Sequence, residues 1–269
     1  LKAEKIKAFV PYYYFPGIKN LEKESISIGK SAYQLLYFGQ IKNSLNLAKL
    51  AVKINKLDEN LWLILSEAQI ANQLYDEALI SLKKAEKIKP SISEIHFAKS
   101  TIYLKQSKLN KAKISLRKGL KIAPNNHKGI FQLGNIFLME KEYSSAIQYF
   151  NNAVKIKPDF WQAINNQGLA YFEQDKMTES MNFFKKAIAI EENAEPLLGL
   201  ATCLRVQDIK LARELVRKAL NKEPKYVSYE YRQEQLWGNK LQTSVEILLQ
   251  NDQLQKDILE AKSKIIESL

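Results

Sequence analysis

The sequence is short of most of what a catalytic or disulfide-built protein needs. A single cysteine, Cys203, stands among 269 residues. That excludes an intrachain disulfide framework and any site built from several cysteine ligands, and it fits a reducing compartment. His96 and His127 are the only histidines, and neither has a second ligand at helical spacing. No His-Glu-x-x-His, Cys-x-x-Cys or Gly-rich phosphate loop occurs. Nine glycines and seven prolines are few for this length, which argues against an all-β chain full of tight turns. No apolar run approaches the roughly 18 residues that a membrane helix needs. Ser-x-x-Lys does occur, at Ser27–Lys30, Ser81–Lys84 and Ser115–Lys118. Three hits in a lysine-rich helical chain are the product of composition rather than a nucleophile beside its base. The expectation is therefore of no enzyme, no cofactor and no metal.

Arginine is scarce too, at 5 of the 41 basic residues. Net charge is +12, and it is uneven. Residues 1–126 hold 22 Lys/Arg against 10 Asp/Glu, whereas residues 127–269 hold 19 of each. Lysine joined to abundant Ile and Asn fits the codon bias of an AT-rich genome, so the excess is weak evidence of purpose. Lys83, Lys84, Lys87, Lys89, Lys111, Lys113, Arg117, Lys118 and Lys121 could still attract phosphates without specificity. The poverty of Arg and the absence of interleaved aromatics weigh against nucleic acid as a partner. A basic peripheral protein on an acidic membrane surface or nucleic acid is the runner-up reading. The chain opens on Leu1 rather than Met. The expectation is of a segment upstream, such as a signal or anchor, that would carry any membrane association. The expected setting is intracellular, cytoplasmic first, with a membrane-associated or organellar alternative.

What the sequence does have is a period. AEKIKP at 85–90, GLKIAP at 119–124 and AVKIKP at 153–158 start 34 residues apart. Ala78, Ala112 and Ala146 lie twelve residues before those prolines, and Ser66, Ser100 and Gly134 twelve earlier again. Upstream, Ala32, Ser44 and Ala51 fit the same grid; downstream, Gly168 and Ala187 do, then Ala212, Ala219 and Pro224 two residues early. Small residues at fixed places let two helices approach, and large apolar residues three or four positions away fill the space around them. In LGNIFLMEKEYSSAIQYFNNAVKIKP, Leu133, Phe137 and Leu138 make one apolar face and Ala146, Phe150 and Ala153 the facing one. The polar Glu-Lys-Glu between them is the turn, and Pro158 stops the second helix.

This grid resembles the tetratricopeptide (TPR) repeat over about 25–226. The resemblance implies an all-α, right-handed superhelix of stacked helical hairpins, since one hairpin cannot bury its apolar face alone. Six repeats are expected: 25–58, 59–92, 93–126, 127–160, 161–192 and 193–226. Residues 1–24 are expected to form an N-terminal helix and an extended aromatic strap, PYYYFPG at 11–17, packed on the first repeat or lying in the groove. Residues 227–269 are expected to cap the array as helices. Leu236, Trp237, Leu241, Val245, Leu248 and Leu249 keep helical spacing, Gly238 marks a bend, and Asp252 with Gln255 forms a capping box. Leu254, Ile258, Leu259, Ile265 and Ile266 share a face in the last helix.

By the same resemblance the first helix of each repeat lines a concave face that holds a protein or peptide partner. The residues implied are Tyr33, Tyr37, Leu63, Ile70, Phe97, Leu104, Lys128, Phe131, Asn135, Leu138, Asn165, Asn166 and Phe172. Asn135 and Asn166 match places where the family uses amides, which donate and accept at once and so can bridge an extended chain. Phe97 and Phe131 occupy equivalent positions and are expected to form a ladder. They also stand where the family's carboxylate clamp carries a base, so the implied ligand is an apolar segment or helix rather than a charged C-terminal tail. The function implied is a non-catalytic interaction scaffold, serving assembly of a larger complex.

Overall fold

The computed structural model describes residues 18–267. The expected aromatic strap at 11–17 lies outside them. The described residues hold fifteen α-helices and no strand, as the periodic pattern requires. They fall into two compact units that divide between Lys108 and Leu109.

The first unit contains α1 (Ile18–Tyr37), α2 (Ile41–Ile54), α3 (Glu59–Ala71), α4 (Tyr75–Ile88) and α5 (Ser93–Lys105). The second contains α6 (Leu109–Ile122), α7 (His127–Met139), α8 (Tyr143–Ile156), α9 (Trp161–Glu173), α10 (Met177–Ile190), α11 (Ala194–Leu204) and α12 (Ile209–Lys222). Then follow α13 (Tyr229–Glu234), α14 (Asn239–Leu249) and α15 (Gln255–Glu267). The helices pair as antiparallel hairpins: α1 with α2, α3 with α4, α7 with α8, α9 with α10, and α11 with α12.

Each end of a hairpin has a local cause. One residue at a fixed place in the period, Gly39, Gln73, Ser107, Lys141 or Asp175, takes a φ between 57° and 73° and closes the first helix. The following amide then reaches back to the helix, as Leu74 N does to Gln69 O at 2.8 Å and Glu142 N to Phe137 O at 2.8 Å. This is the left-handed C-terminal closure common to helices. The second helices α4 and α8 stop at an extended residue, Lys89 and Lys157, forced there by the proline behind it. Asn55 and Glu191 are extended at the same place with no proline following, so proline reinforces a stop that packing already imposes. Asp58, Asn126 and Asp208 cap α3, α7 and α12 through their side-chain oxygens.

The small positions explain how close the helices come. Where the second helix carries Ser in place of Ala, its hydroxyl donates to the facing backbone carbonyl: Ser44 to Ala32 at 2.7 Å and Ser180 to Gly168 at 2.9 Å. At Gly134 and Gly168 of the first helices, a phenylalanine ring fills the vacancy. A Cβ on Gly134 would sit 2.5 Å from the Phe150 ring, and one on Gly168 would sit 2.7 Å from Phe184. Phe150, Phe184, Ala146 and Ala153 are fully buried. Ala146→Leu is expected to overpack this crossing and destabilise by about 1–3 kcal/mol. An unchanged melting curve would show that Ala146 does not stand at a close approach.

The C-terminal segment departs from a plain helical continuation. A 3-10 turn at Pro224–Val227 leads to the short α13; Leu236 then takes a φ of 67°, and Gly238 becomes the N-cap of α14. The expected Asp252–Gln255 capping box does not form. Asn251 caps instead, accepting from Gln253 N at 3.1 Å, because the chain is already turning at Asp252. The buried stripe of α15 is Ile258 and Ala261, joined by Leu254, whereas Leu259 and Ile266 are exposed. The buried face of α15 is therefore narrower than the one that spacing alone suggests. Cys203 is buried as expected, its thiol pushed up to about 12 by burial.

Candidate functional site

The second unit carries the more developed concavity. It is a cavity of about 730 Å³. One wall comes from first helices: Phe131 and Asn135 of α7, Trp161 and Asn166 of α9, Glu195 of α11. The other comes from the returning C-terminal segment, through Tyr226, Tyr231 and Leu236. Phe131 is half-buried and leans on Phe160 and Phe150, with ring centroids 4.9 and 5.6 Å away. The amides form a chain in which Asn165 Nδ2 donates to Asn166 Oδ1 at 3.1 Å and Asn166 Nδ2 to Asn135 Oδ1 at 2.9 Å.

The C-terminal segment is anchored on that face by polar contacts. α14 packs on α9 and α11, which are first helices, while α15 packs on the second helix α12. The Glu173 carboxylate at the end of α9 accepts from Leu241 N at 2.9 Å and Lys240 N at 3.3 Å, capping the start of α14. The negative group thus sits at the positive end of the helix. Gly238 is what lets it approach, since a Cβ there would lie 2.2 Å from the Glu173 carboxyl carbon. Trp237 Nε1 donates to Glu195 Oε1 at 3.0 Å. Arg232, fully buried, donates to Tyr226 O at 2.7 Å and Gln242 Oε1 at 2.9 Å, and pairs with Glu246. Burial pulls the Arg232 guanidinium down, and Glu246 opposes the shift. Burial also pushes the Glu195 carboxyl up to about 7, against the opposing hydrogen bonds from Trp237 and Asn165.

Of the residues that the repeat implied, this cavity brings Phe131, Asn135 and Asn166 together. Leu138, Asn165 and Phe172 are buried, Phe172 bordering the first turn of α14. Lys128 is exposed. In the first unit, Ile70 and Phe97 line a hollow of about 430 Å³ with Leu36, Glu67 and Glu94. Burial raises the Glu67 carboxyl there. Leu63 and Leu104 are half-buried, and Tyr33 and Tyr37 are exposed at 53% and 83%. His127 lies edge-on to Phe160 at 5.1 Å, and burial lowers its imidazole, with Lys157 and Lys128 adding to the shift. Among the described residues no group of three or more His, Cys, Asp or Glu is placed to hold a metal. None of their helices is long and apolar enough to cross a membrane.

The sequence model of the tetratricopeptide repeat matches residues 93–126, 127–160 and 162–193. The chain carries tetratricopeptide repeats. The matched spans coincide, within a residue or two, with three periods read from the small residues and prolines. No curated protein matches the chain. Solved structures share the fold. PilW, described as a widely conserved type IV pilus biogenesis factor, aligns with a TM-score of 0.61 at 17% identity, covering 81% of this chain and 97% of its own. YrrB, described as a TPR protein with an unusual peptide-binding site, aligns at 0.51 and 16% identity, covering 71% of this chain and 98% of its own. MamA from Desulfovibrio magneticus aligns at 0.54 and 19% identity, covering 64% and 96%.

Proposed function

We propose that this chain is a non-catalytic interaction scaffold that receives a peptide or helix of a protein partner on its first-helix face, in the assembly of a larger complex. The cavity lined by Phe131, Asn135 and Asn166 carries this reading. It joins a half-buried aromatic to amides able to hold a backbone, the combination that an extended ligand needs. The peptide-binding site of YrrB and the part that PilW takes in pilus biogenesis support it by likeness of fold.

The test is affinity capture from the native source with the full-length protein. Phe131→Ala and Asn135→Ala, made singly, should each reduce capture of the main partner by about tenfold or more, since truncating a hot-spot side chain removes upwards of about 1–2 kcal/mol. Asn135→Ala removes the acceptor of the Asn166 amide, so its variant should stay folded with a small loss of stability, of about 1–3 kcal/mol at most. Capture unchanged in both variants would remove the cavity as the binding site.

A further inference from the structure

We propose that this cavity is a receptor for a cationic side chain, the guanidinium or ammonium of an arginine or lysine in the partner's peptide. The inference rests on the groove reading and specifies what the groove selects.

The first observation is a buried acid with no counter-ion. Glu195 is 9% exposed and lines the cavity. What reaches it is neutral: the Trp237 indole at 3.0 Å and the Asn165 amide. Among the described residues no lysine or arginine pairs with it, although the chain is basic overall. Buried charges are ordinarily paired. Glu195 lines the cavity, so the position for a counter-ion is the cavity itself.

The second observation is the balance of charge around it. Glu192, Glu195, Glu223 and Glu234 line the cavity against Lys222. Lys222 is committed to Glu192 by a 3.2 Å ion pair at the rim. Among the described residues the other three carboxyls have no lysine or arginine ion pair, and of these Glu223 accepts from Lys225 N at 3.2 Å. This local excess stands within residues 127–269, whose formal charges cancel.

The third observation decides the kind of cation. Phe131, Trp161, Tyr226 and Tyr231 supply aromatic walls, with the two tyrosine rings edge-to-face at 5.0 Å. Aromatic faces attract organic cations and stack on guanidinium, but they offer a metal ion no ligand. The volume, about 730 Å³, lies in the usual range for ligand pockets of roughly 300–1,000 Å³. That exceeds one side chain and leaves room for the flanking backbone, which Asn135 and Asn166 are placed to meet. A peptide segment, rather than a small free cation, uses all three features.

The test is calorimetric titration of the intact protein with a blocked pentapeptide, acetyl-Gly-Leu-Arg-Leu-Gly-amide. Its twins carry citrulline or glutamate in place of arginine, and ethylguanidine serves as the free cation. The arginine peptide should bind at least about tenfold more tightly than the citrulline twin. Glu195→Gln with Glu234→Gln should reduce it to the citrulline level, with the melting temperature no lower than that of the wild type. Equal binding of arginine and citrulline peptides, or tighter binding of the glutamate twin, overturns the cation and leaves the groove reading intact. Ethylguanidine binding as tightly as the peptide overturns the peptide. No binding of any probe at about 1 mM, a binding energy of about 4 kcal/mol, overturns the inference as a whole. Failure of the groove itself is read separately, from native-partner capture by the Phe131 and Asn135 variants.

Discussion

Phe184→Ala is expected to destabilise the second unit by about 3–5 kcal/mol. Phe184 is fully buried, and its ring lies over two glycines on different first helices. A Cβ added at Gly168 of α9 would sit 2.7 Å from the ring, and one at Gly199 of α11 would sit 2.6 Å away. One side chain on α10 therefore fills the space in its own hairpin and the space against the next. Removing the ring leaves a void that the helices cannot close, because the Ser180 hydroxyl already holds α10 to the Gly168 carbonyl at 2.9 Å. The transfer loss and the cavity add together. The pairing also predicts a coupling. Gly199→Ala alone should destabilise by overpacking, yet it should be tolerated better once Phe184 is Leu, since residues in contact are not additive. Urea denaturation of wild type, Phe184→Ala, Gly199→Ala, Phe184→Leu and the Phe184→Leu/Gly199→Ala double variant measures both effects. A loss below about 1 kcal/mol for Phe184→Ala would mean that the site collapses freely and that the ring is no wedge.

The wedge was legible in the sequence, and the reason is periodicity. Gly134 with Phe150 and Gly168 with Phe184 repeat one steric solution at one spacing, while Ser66 with Leu82 offers a milder version of it. Any feature that recurs with the hairpin can be found by counting. Features that occur once cannot. Glu195 meets Trp237 across 42 residues and Glu173 meets Leu241 across 68, and nothing local marks either partner. Carboxylates on helices are usually solvated, so these two had no signal beyond falling on first helices. Their role follows from the return of the C-terminal segment, which the helical spacing of Trp237 and Leu241 announced without stating where it would land. The site was half legible for a related reason. Asn165 and Asn166 both stood as candidates, and one residue turns a helix by about 100°. That rotation puts Asn166 on the cavity and Asn165 beneath it, beside Glu195.

Glu195→Gln is expected to remove most of a pH dependence that the wild type carries between about pH 5 and 8. The Glu195 carboxyl is pushed from 4.5 up to about 7, first by burial, against the opposing hydrogen bonds of Trp237 and Asn165. The groups facing it from other elements are Tyr226, whose hydroxyl is raised first by burial and then by Glu195, together with Tyr231, Glu223, Glu234 and the Glu192–Lys222 pair. The folded state thus holds the Glu195 proton more tightly than the unfolded chain does. Its contribution is fully present below about 4.5, declines as pH rises, and is gone above about 7, where the buried carboxylate costs about 3 kcal/mol relative to a solvated one. Glutamine keeps an acceptor for the Trp237 indole and has no proton to lose. The difference in unfolding free energy between wild type and variant should therefore shift by about 3 kcal/mol from about pH 5 to pH 8, the variant gaining at high pH. Taking the difference cancels groups that titrate alike in both proteins. A flat difference would show that water solvates the Glu195 carboxylate in the fold. With the arginine peptide bound, the same difference should shrink, because a cation beside the carboxylate stabilises its charged form.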